Sequence, residues 1–478
     1  MNALYNTVCS INSYLSDYVL ITLLAVAGLF FTIRTRFVQL RCLGAGFKDA
    51  FKHFSLHGQI GNEGLSSLQA LFTAIAAQVG TGNIVGASGA ILTGGPGAIF
   101  WMWLIAFLGM STIYAEAVLA QETRIKLDEH TIHGGPTYYM KRAFPNLFGK
   151  SIAVFFAIAV IISLGLIGCM VQANSIGEVC HNAFKLPTWS IGLIVAMLSL
   201  LIFIGGLNRI AHVTEKLVPL MALIYLAGGV ILLIIRIRYL PATFGLIFKY
   251  AFNPEALIGG SIGYALKTAI SQGVKRGLFS NEAGMGSTPH AHAMANVDSP
   301  HTQGIAAMVG VFIDTFVVLT MTALIVISTI YVGDGPLAHA TGTTYSELLA
   351  SCGLQKTNLV QQAFATVSTE TVGNVFVAIC LVFFALSTIL SWNFFGKINF
   401  EYLFGRKYVV IYSLLGVAFI FLGTIMKNDL AWELQDMFNQ LMVLPNVLAL
   451  ITLSSLVAKS ARRHDNLTTN HDFQKDQP

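Results

Sequence analysis

Gly80, Gly82 and Gly86 place three glycines within seven residues of an otherwise apolar stretch, with Gln78, Thr81 and Asn83 among them. Glycine inside a helix costs about 1 kcal/mol relative to alanine, so such a run needs a reason. Unwound backbone at membrane depth is tolerated where it is buried in protein or faces a water-filled cavity. Freed amides at the start of a half-helix suit a carboxylate, and freed carbonyls suit Na⁺. The competing reading is close helix packing of the small-xxx-small kind. A dinucleotide loop is a poor fit, because Gly80-Thr81-Gly82 followed by Gly86 misses the G-x-G-x-x-G spacing by one.

Other polar residues sit at comparable depth. Gln172 lies near one end of an apolar stretch, placed either to hydrogen-bond a ligand or to bond another helix. Ser387 and Thr388 offer adjacent hydroxyls midway through another, although hydroxyls often bond their own helix. Trp392 is four residues from Thr388, on the same helix face, where it can pack over a small ligand. Glu116, Lys267 and Asp314 are intramembrane charges, functional candidates by type. Glu116 has a helix-terminus reading against Arg124, and Asp314 fits either proton or cation coupling or a structural hydrogen bond. His290 and His292 are spaced i, i+2 with no second ligand group, which argues against metal. The six cysteines are scattered, with no CxxC set.

The elements that position these residues follow from composition. The 478 residues are 55% hydrophobic and 11% charged, with mean hydropathy +0.69. A soluble chain carries about twice that charged fraction. Apolar stretches of roughly 18 to 27 residues match a hydrocarbon core of about 30 Å. The fold class is therefore an all-α polytopic membrane protein of about eleven spans, near 18–33, 66–92, 96–120, 151–173, 190–207, 214–235, 256–280, 304–332, 375–396, 408–426 and 432–457. The net charge of +5 resides mainly in short loops rather than in a basic stripe, which excludes a nucleic-acid partner. Arg34, Arg36, Arg41, Lys48 and Lys52 follow the first span, so the N-terminus is expected outside and the C-terminus in the cytoplasm. The exception is the outside loop carrying Arg236, Arg238 and Lys249. Short helices are expected around Tyr138–Phe144 and Thr357–Glu370.

Four segments result: 1–60, an extra N-terminal helix with a basic cytoplasmic linker; 61–235, a five-helix repeat; 256–458, a second repeat; and 459–478, a disordered cytoplasmic tail. Five is odd, so the second repeat enters from the opposite side. Each opens with a glycine-interrupted span, the second carrying Gly259, Gly260, Gly263 and Gly273. Interrupted helices at matching places in inverted halves point to a transporter's binding site.

Three runs carry a family resemblance: Gln78 to Gly86, Gly94-Gly95-Pro96-Gly97-Ala98-Ile99-Phe100-Trp101-Met102-Trp103, and Gly277-Leu278-Phe279-Ser280-Asn281-Glu282-Ala283-Gly284-Met285-Gly286-Ser287. With the span pattern over about 60–460, the chain resembles the alanine or glycine:cation symporters. That likeness implies a LeuT-like five-plus-five inverted repeat with an extra N-terminal helix, located in the plasma membrane (the bacterial inner membrane). It implies secondary active import of small neutral amino acids, alanine or glycine, coupled to Na⁺ or to H⁺, with no enzymatic cofactor.

Residue by residue, the resemblance implies that Gln78, Gly80, Thr81, Gly82 and Asn83 hold the amino acid at the broken helix. Gln172 contacts it from the fourth span, and Trp392 limits the pocket. Thr268, Ala269 and Gly273 mark a break in the seventh span beside the substrate. The carbonyls of Ala76 and Val79 join Ser387 and Thr388 around Na⁺. Ser391 stands where the family has Gly, and Lys397 where it has Glu; the first bears on alanine/glycine selectivity. Two rivals are less well supported. A channel calls for a filter ring or subunit symmetry, and a membrane-embedded enzyme calls for clustered His, Asp or Cys near one face.

Overall fold

The computed structural model describes residues 2–52, 64–126, 132–253, 262–338, 345, 349–426 and 429–462. Among them, seven helices are long and apolar enough to cross a membrane: Leu4–Arg34, Ala98–Thr123, Leu147–Phe184, Gly206–Ile235, Pro300–Tyr331, Glu370–Phe404 and Arg406–Ile425. Two further pairs are bent at short breaks, Ser67–Gln78 with Gly82–Gly94 by 43° and Leu430–Thr452 with Ser454–Arg462 by 59°. Thr188–Ile204 is apolar but shorter. The described chain is thus mostly helical, in line with the expected class.

Several differences from the sequence reading have local causes. The first helix begins at Asn2 and continues through a widened turn to Arg34. The basic linker after it forms Val38–Arg41 and Leu43–Lys52. The two short helices form at Pro136–Ala143 and Leu359–Ala365. Helix also runs into the segment assigned to the tail, to Arg462; residues 463–478 lie outside the described residues.

In the loop that weakened the charge pattern, Arg236 is held by protein partners. The Arg236 guanidinium donates to the Ser328 carbonyl (2.8 and 3.0 Å) and lies 2.7 Å from Asp334. Its ring contact with Tyr239 is 4.2 Å to the centroid. A cation at the end of Pro300–Tyr331 satisfies carbonyls that have no helical partner. Arg236 also holds the exposed Asp334 carboxyl below the usual carboxylate range.

The broken span is anchored at its start. Ser66 accepts from the Gln69 amide (3.0 Å) while Gln69 accepts from the Ser66 amide (3.1 Å), a reciprocal capping box. Leu65–Ser66 also pairs in parallel with Ala295–Asn296, tying this entry to the segment before Pro300. The helix Ala98–Thr123 packs against both Ile262–Asn281 and Pro300–Val311.

Candidate functional site

The first break is built by backbone. Ser67–Gln78 ends at Val79, whose φ of −79° and ψ of 88° leave the helical region. Gly82–Gly86 then resumes in π-type turns. The Gly80 amide, no longer helical, donates to Asn83 Oδ1 (3.0 Å), and the Thr81 amide to Gln172 Oε1 (3.2 Å). A side chain on Gly80 would collide with the Thr388 hydroxyl, and one on Gly82 would lie 3.0 Å from Ser280 Cα. The glycines therefore serve both the unwinding and the close approach of two other helices.

Hydroxyls and amides from four helices converge on this break. Thr388 donates to the Ala76 carbonyl (2.9 Å), with Ser387 at 3.4 Å from the same oxygen. Asn83 Nδ2 donates to Asp314 Oδ1 (2.7 Å), and the Ser280 hydroxyl reaches both Asp314 oxygens at 3.0 Å. Gln78 Nε2 donates to the Asn281 carbonyl (2.8 Å). Three buried atoms here have no protein partner: Gln78 Oε1, Thr81 Oγ1 and Gln172 Nε2. Each such atom costs about 1–3 kcal/mol when left unsatisfied, and the set comprises one acceptor, one donor and one hydroxyl.

Trp392 is buried beside the break, its ring edge-on to Phe279 at 5.9 Å. Phe279 in turn lies 5.3 Å from Trp432. Beyond these rings Asp436 pairs with Lys275 (2.8 Å) and Arg276 (3.2 Å), closing one side of the site with a buried ion cluster. Ser391, the departure from the family pattern, is buried with an unpartnered hydroxyl.

The seventh span departs from expectation. Ile262–Asn281 runs without interruption through Thr268, Ala269 and Gly273. Those residues lie roughly 12 to 20 Å along the helix from its end, at about 1.5 Å per residue. Thr268 donates to its own Tyr264 carbonyl (2.9 Å), while a Cβ on Gly273 would meet the Ala98 carbonyl at 2.7 Å. Gly94 lies against Ala269 in the same way, so these small residues make a helix–helix seam and not a break. Gly259 and Gly260 lie outside the described residues. Lys267 is half-exposed and pairs with Asp17 (2.7 Å) of the first helix.

The chain actually breaks after Asn281, at residues no role had been assigned. Glu282 (φ 58°), Gly284 (φ 92°) and Gly286 (φ 81°) are all left-handed, a conformation glycine adopts freely and glutamate does not. Glu282 accepts from Trp392 Nε1 (2.5 Å) and from the Ser287 hydroxyl. Glu116 accepts from the Gly284 amide (3.2 Å) and from Asn446 Nδ2 (2.5 Å), so it does not pair with Arg124. Arg124 donates instead to the carbonyls of Ala293 and Ala295. The signal was present in the run Asn281 to Ser287, where two glycines follow a glutamate by two and four residues.

His290 and His292 occupy the short helix Pro289–Ala293 that follows. His290 pairs with the Ser287 carbonyl and Asn399, and His292 with Gln303. Burial pushes His290 down to about 4 and His292 to about 3.

Known proteins bear on this arrangement. Residues 1–477 match the sodium:alanine symporter family. The sodium/alanine symporter AgcS of Methanococcus maripaludis is 38% identical, covering 98% of both chains. The probable sodium/glutamine symporter GlnT of Bacillus subtilis is 34% identical over 93% of this chain and 87% of its own. Among solved structures, MhsT in complex with L-phenylalanine superposes with a TM-score of 0.59 at 15% identity, covering 84% of this chain and 97% of its own. That likeness bears on fold alone and agrees with a LeuT-like architecture. The match of the whole chain, joined to a glycine-broken helix met by Ser387 and Thr388, makes it a cation-coupled amino acid transporter and not an enzyme. The chain belongs to the sodium:alanine symporter family.

Proposed function

We propose that the protein imports a small neutral amino acid, alanine or glycine, together with Na⁺, by alternating access about the Gly80–Gly82 break. The carrying observation is the trio of unpartnered buried atoms, Gln78 Oε1, Thr81 Oγ1 and Gln172 Nε2. A zwitterion supplies what they lack: an ammonium for the acceptor and a carboxylate for the donor and hydroxyl. Na⁺ would be held by oxygens, the carbonyls of Ala76 and Val79 with the hydroxyls of Ser387 and Thr388. Those hydroxyls already converge on the Ala76 carbonyl.

In this reading the spans form two inverted groups of five behind an extra N-terminal helix, with the N-terminus outside and the C-terminus cytoplasmic. Asn83 is a positioning residue, bridging the Gly80 amide to Asp314. Trp392 bounds the pocket, and the buried hydroxyl of Ser391 beside it bears on which side chain is accepted. Uptake of labelled alanine by proteoliposomes, with and without a Na⁺ gradient, tests the proposal. Saturable uptake that rises with inward Na⁺ supports it; uptake indifferent to Na⁺ and to H⁺ contradicts symport.

A further inference from the structure

Glu282 is fully buried, and both its oxygens are engaged by neutral donors only, Trp392 Nε1–H and the Ser287 hydroxyl. No Lys or Arg among the described residues pairs with it, unlike Asp436, which has two cations. A carboxylate taken out of water without a counter-charge favours its neutral form. Two more acids from adjoining helices, Asp314 and Glu116, act on it as like charges. Asp314 is better solvated, with Asn83, Thr315 and Ser280 donating to it. Glu116 accepts a backbone amide and Asn446. Glu282 thus has fewer donors than Asp314, and it alone of the three sits where the backbone is left-handed against glutamate's preference.

Its position gives that proton a consequence. One oxygen holds the indole of Trp392, which packs on the Phe279 ring beside Gly82; the other holds Ser287, whose carbonyl is bonded to His290. We propose that Glu282 is a proton-binding site, exchanging one proton with water during transport and thereby linking the Trp392 pocket wall to the Ser287–His290 segment. Deprotonation passes the carboxyl proton to water admitted when the segment moves, leaving an anion that grips the Trp392 N–H and the Ser287 hydroxyl. Protonation weakens that grip and frees the indole. The groups that share this environment are Glu116, Asp314, His290 and Tyr139, which donates to Asn446. The inference rests on the reading of Trp392 as the pocket wall.

Infrared difference spectra of the purified protein between pH 5 and pH 9 detect a protonated carboxyl directly, whatever the substrate proves to be. The protein should lose protonated-carboxyl intensity as pH rises; E282Q should lose one carboxyl's share of that change, and E116Q should leave the Glu282 share in place. W392F removes one donor to the anion and should move the band's midpoint upward by about one pH unit or more. In proteoliposomes, alanine uptake by E282Q should lose its pH dependence while keeping its response to Na⁺. A spectrum of E282Q that superimposes on the unmodified protein overturns the proposal. If E282Q does not fold, an unmoved midpoint in W392F overturns it. Failure of alanine uptake with the band intact would fall on the substrate reading instead.

Discussion

Between Gln78 and Gly82 the chain breaks on glycines and leaves polar atoms unpartnered, whereas between Asn281 and Pro289 it breaks on a glutamate and ties most polar atoms down. At the first break, Gln78 Oε1, Thr81 Oγ1 and Gln172 Nε2 are buried without protein partners. At the second, the Ala283 amide donates to Asn281 Oδ1 (3.0 Å), the Gly284 amide to Glu116, and the Gly284 carbonyl accepts from Asn446 (2.9 Å). The two breaks therefore have different work. The first leaves polar atoms for the ligand proposed above, and the second is completed by side chains and is joined to the first through Ser280 and Asn281.

That contrast can be broken most easily at Gly82. Gly82→Leu places a side chain against Ser280 and Phe279, so alanine uptake should fall more than about 100-fold with membrane insertion unchanged. Near-normal uptake would remove the close approach from the account. At the second break the effect should fall on stability: Glu116→Ala strands the Gly284 amide and Asn446 and should cost about 3 kcal/mol in a denaturation assay. A variant as stable as the parent but deaf to Na⁺ would reverse the roles assigned to the two breaks.

Acid sharpens the same contrast. His292 is held down at about 3 from its usual 6.5 by burial, so the unfolded chain binds a proton the folded chain refuses. Its contribution to stability is complete above pH 6.5 and is lost progressively as pH falls toward 3, about 2 kcal/mol at pH 5. His292→Gln should flatten melting temperature against pH across that window, and an unchanged slope would show that His292 does not set it. The smallest effect belongs to the coupling ion. Thr388→Ala should raise the Na⁺ concentration for half-maximal uptake about tenfold, with alanine affinity at saturating Na⁺ within about twofold. Equal losses in both at every Na⁺ concentration would argue against a separate ion site.

The first break was legible because its chemistry is local: three glycines with Gln78, Thr81 and Asn83 state both an unwound backbone and its polar lining. The meeting of Ser387 and Thr388 with Ala76, about 310 residues away in the chain, came from resemblance and is present as a 2.9 Å hydrogen bond. The second break was misplaced because glycine count is an ambiguous sign. Gly273 provides room for the Ala98 backbone, a packing role that looks identical in sequence to an unwinding one. The true break turns on Glu282, a residue type with no preference for positive φ, held there by partners on other helices. Likewise, Glu116 was read against Arg124 through sequence proximity, while its actual partner Asn446 is 330 positions away.

Equilibrium binding of labelled alanine to the purified protein, in sodium and in choline at equal ionic strength, bears most directly on the central claim. A ligand and an ion completing one break must strengthen each other's binding. Alanine should bind at least about tenfold more tightly in saturating sodium, and Thr388→Ala should shift the appearance of that gain to about tenfold higher sodium. Equal affinity in sodium and choline, at fixed pH, would contradict the account.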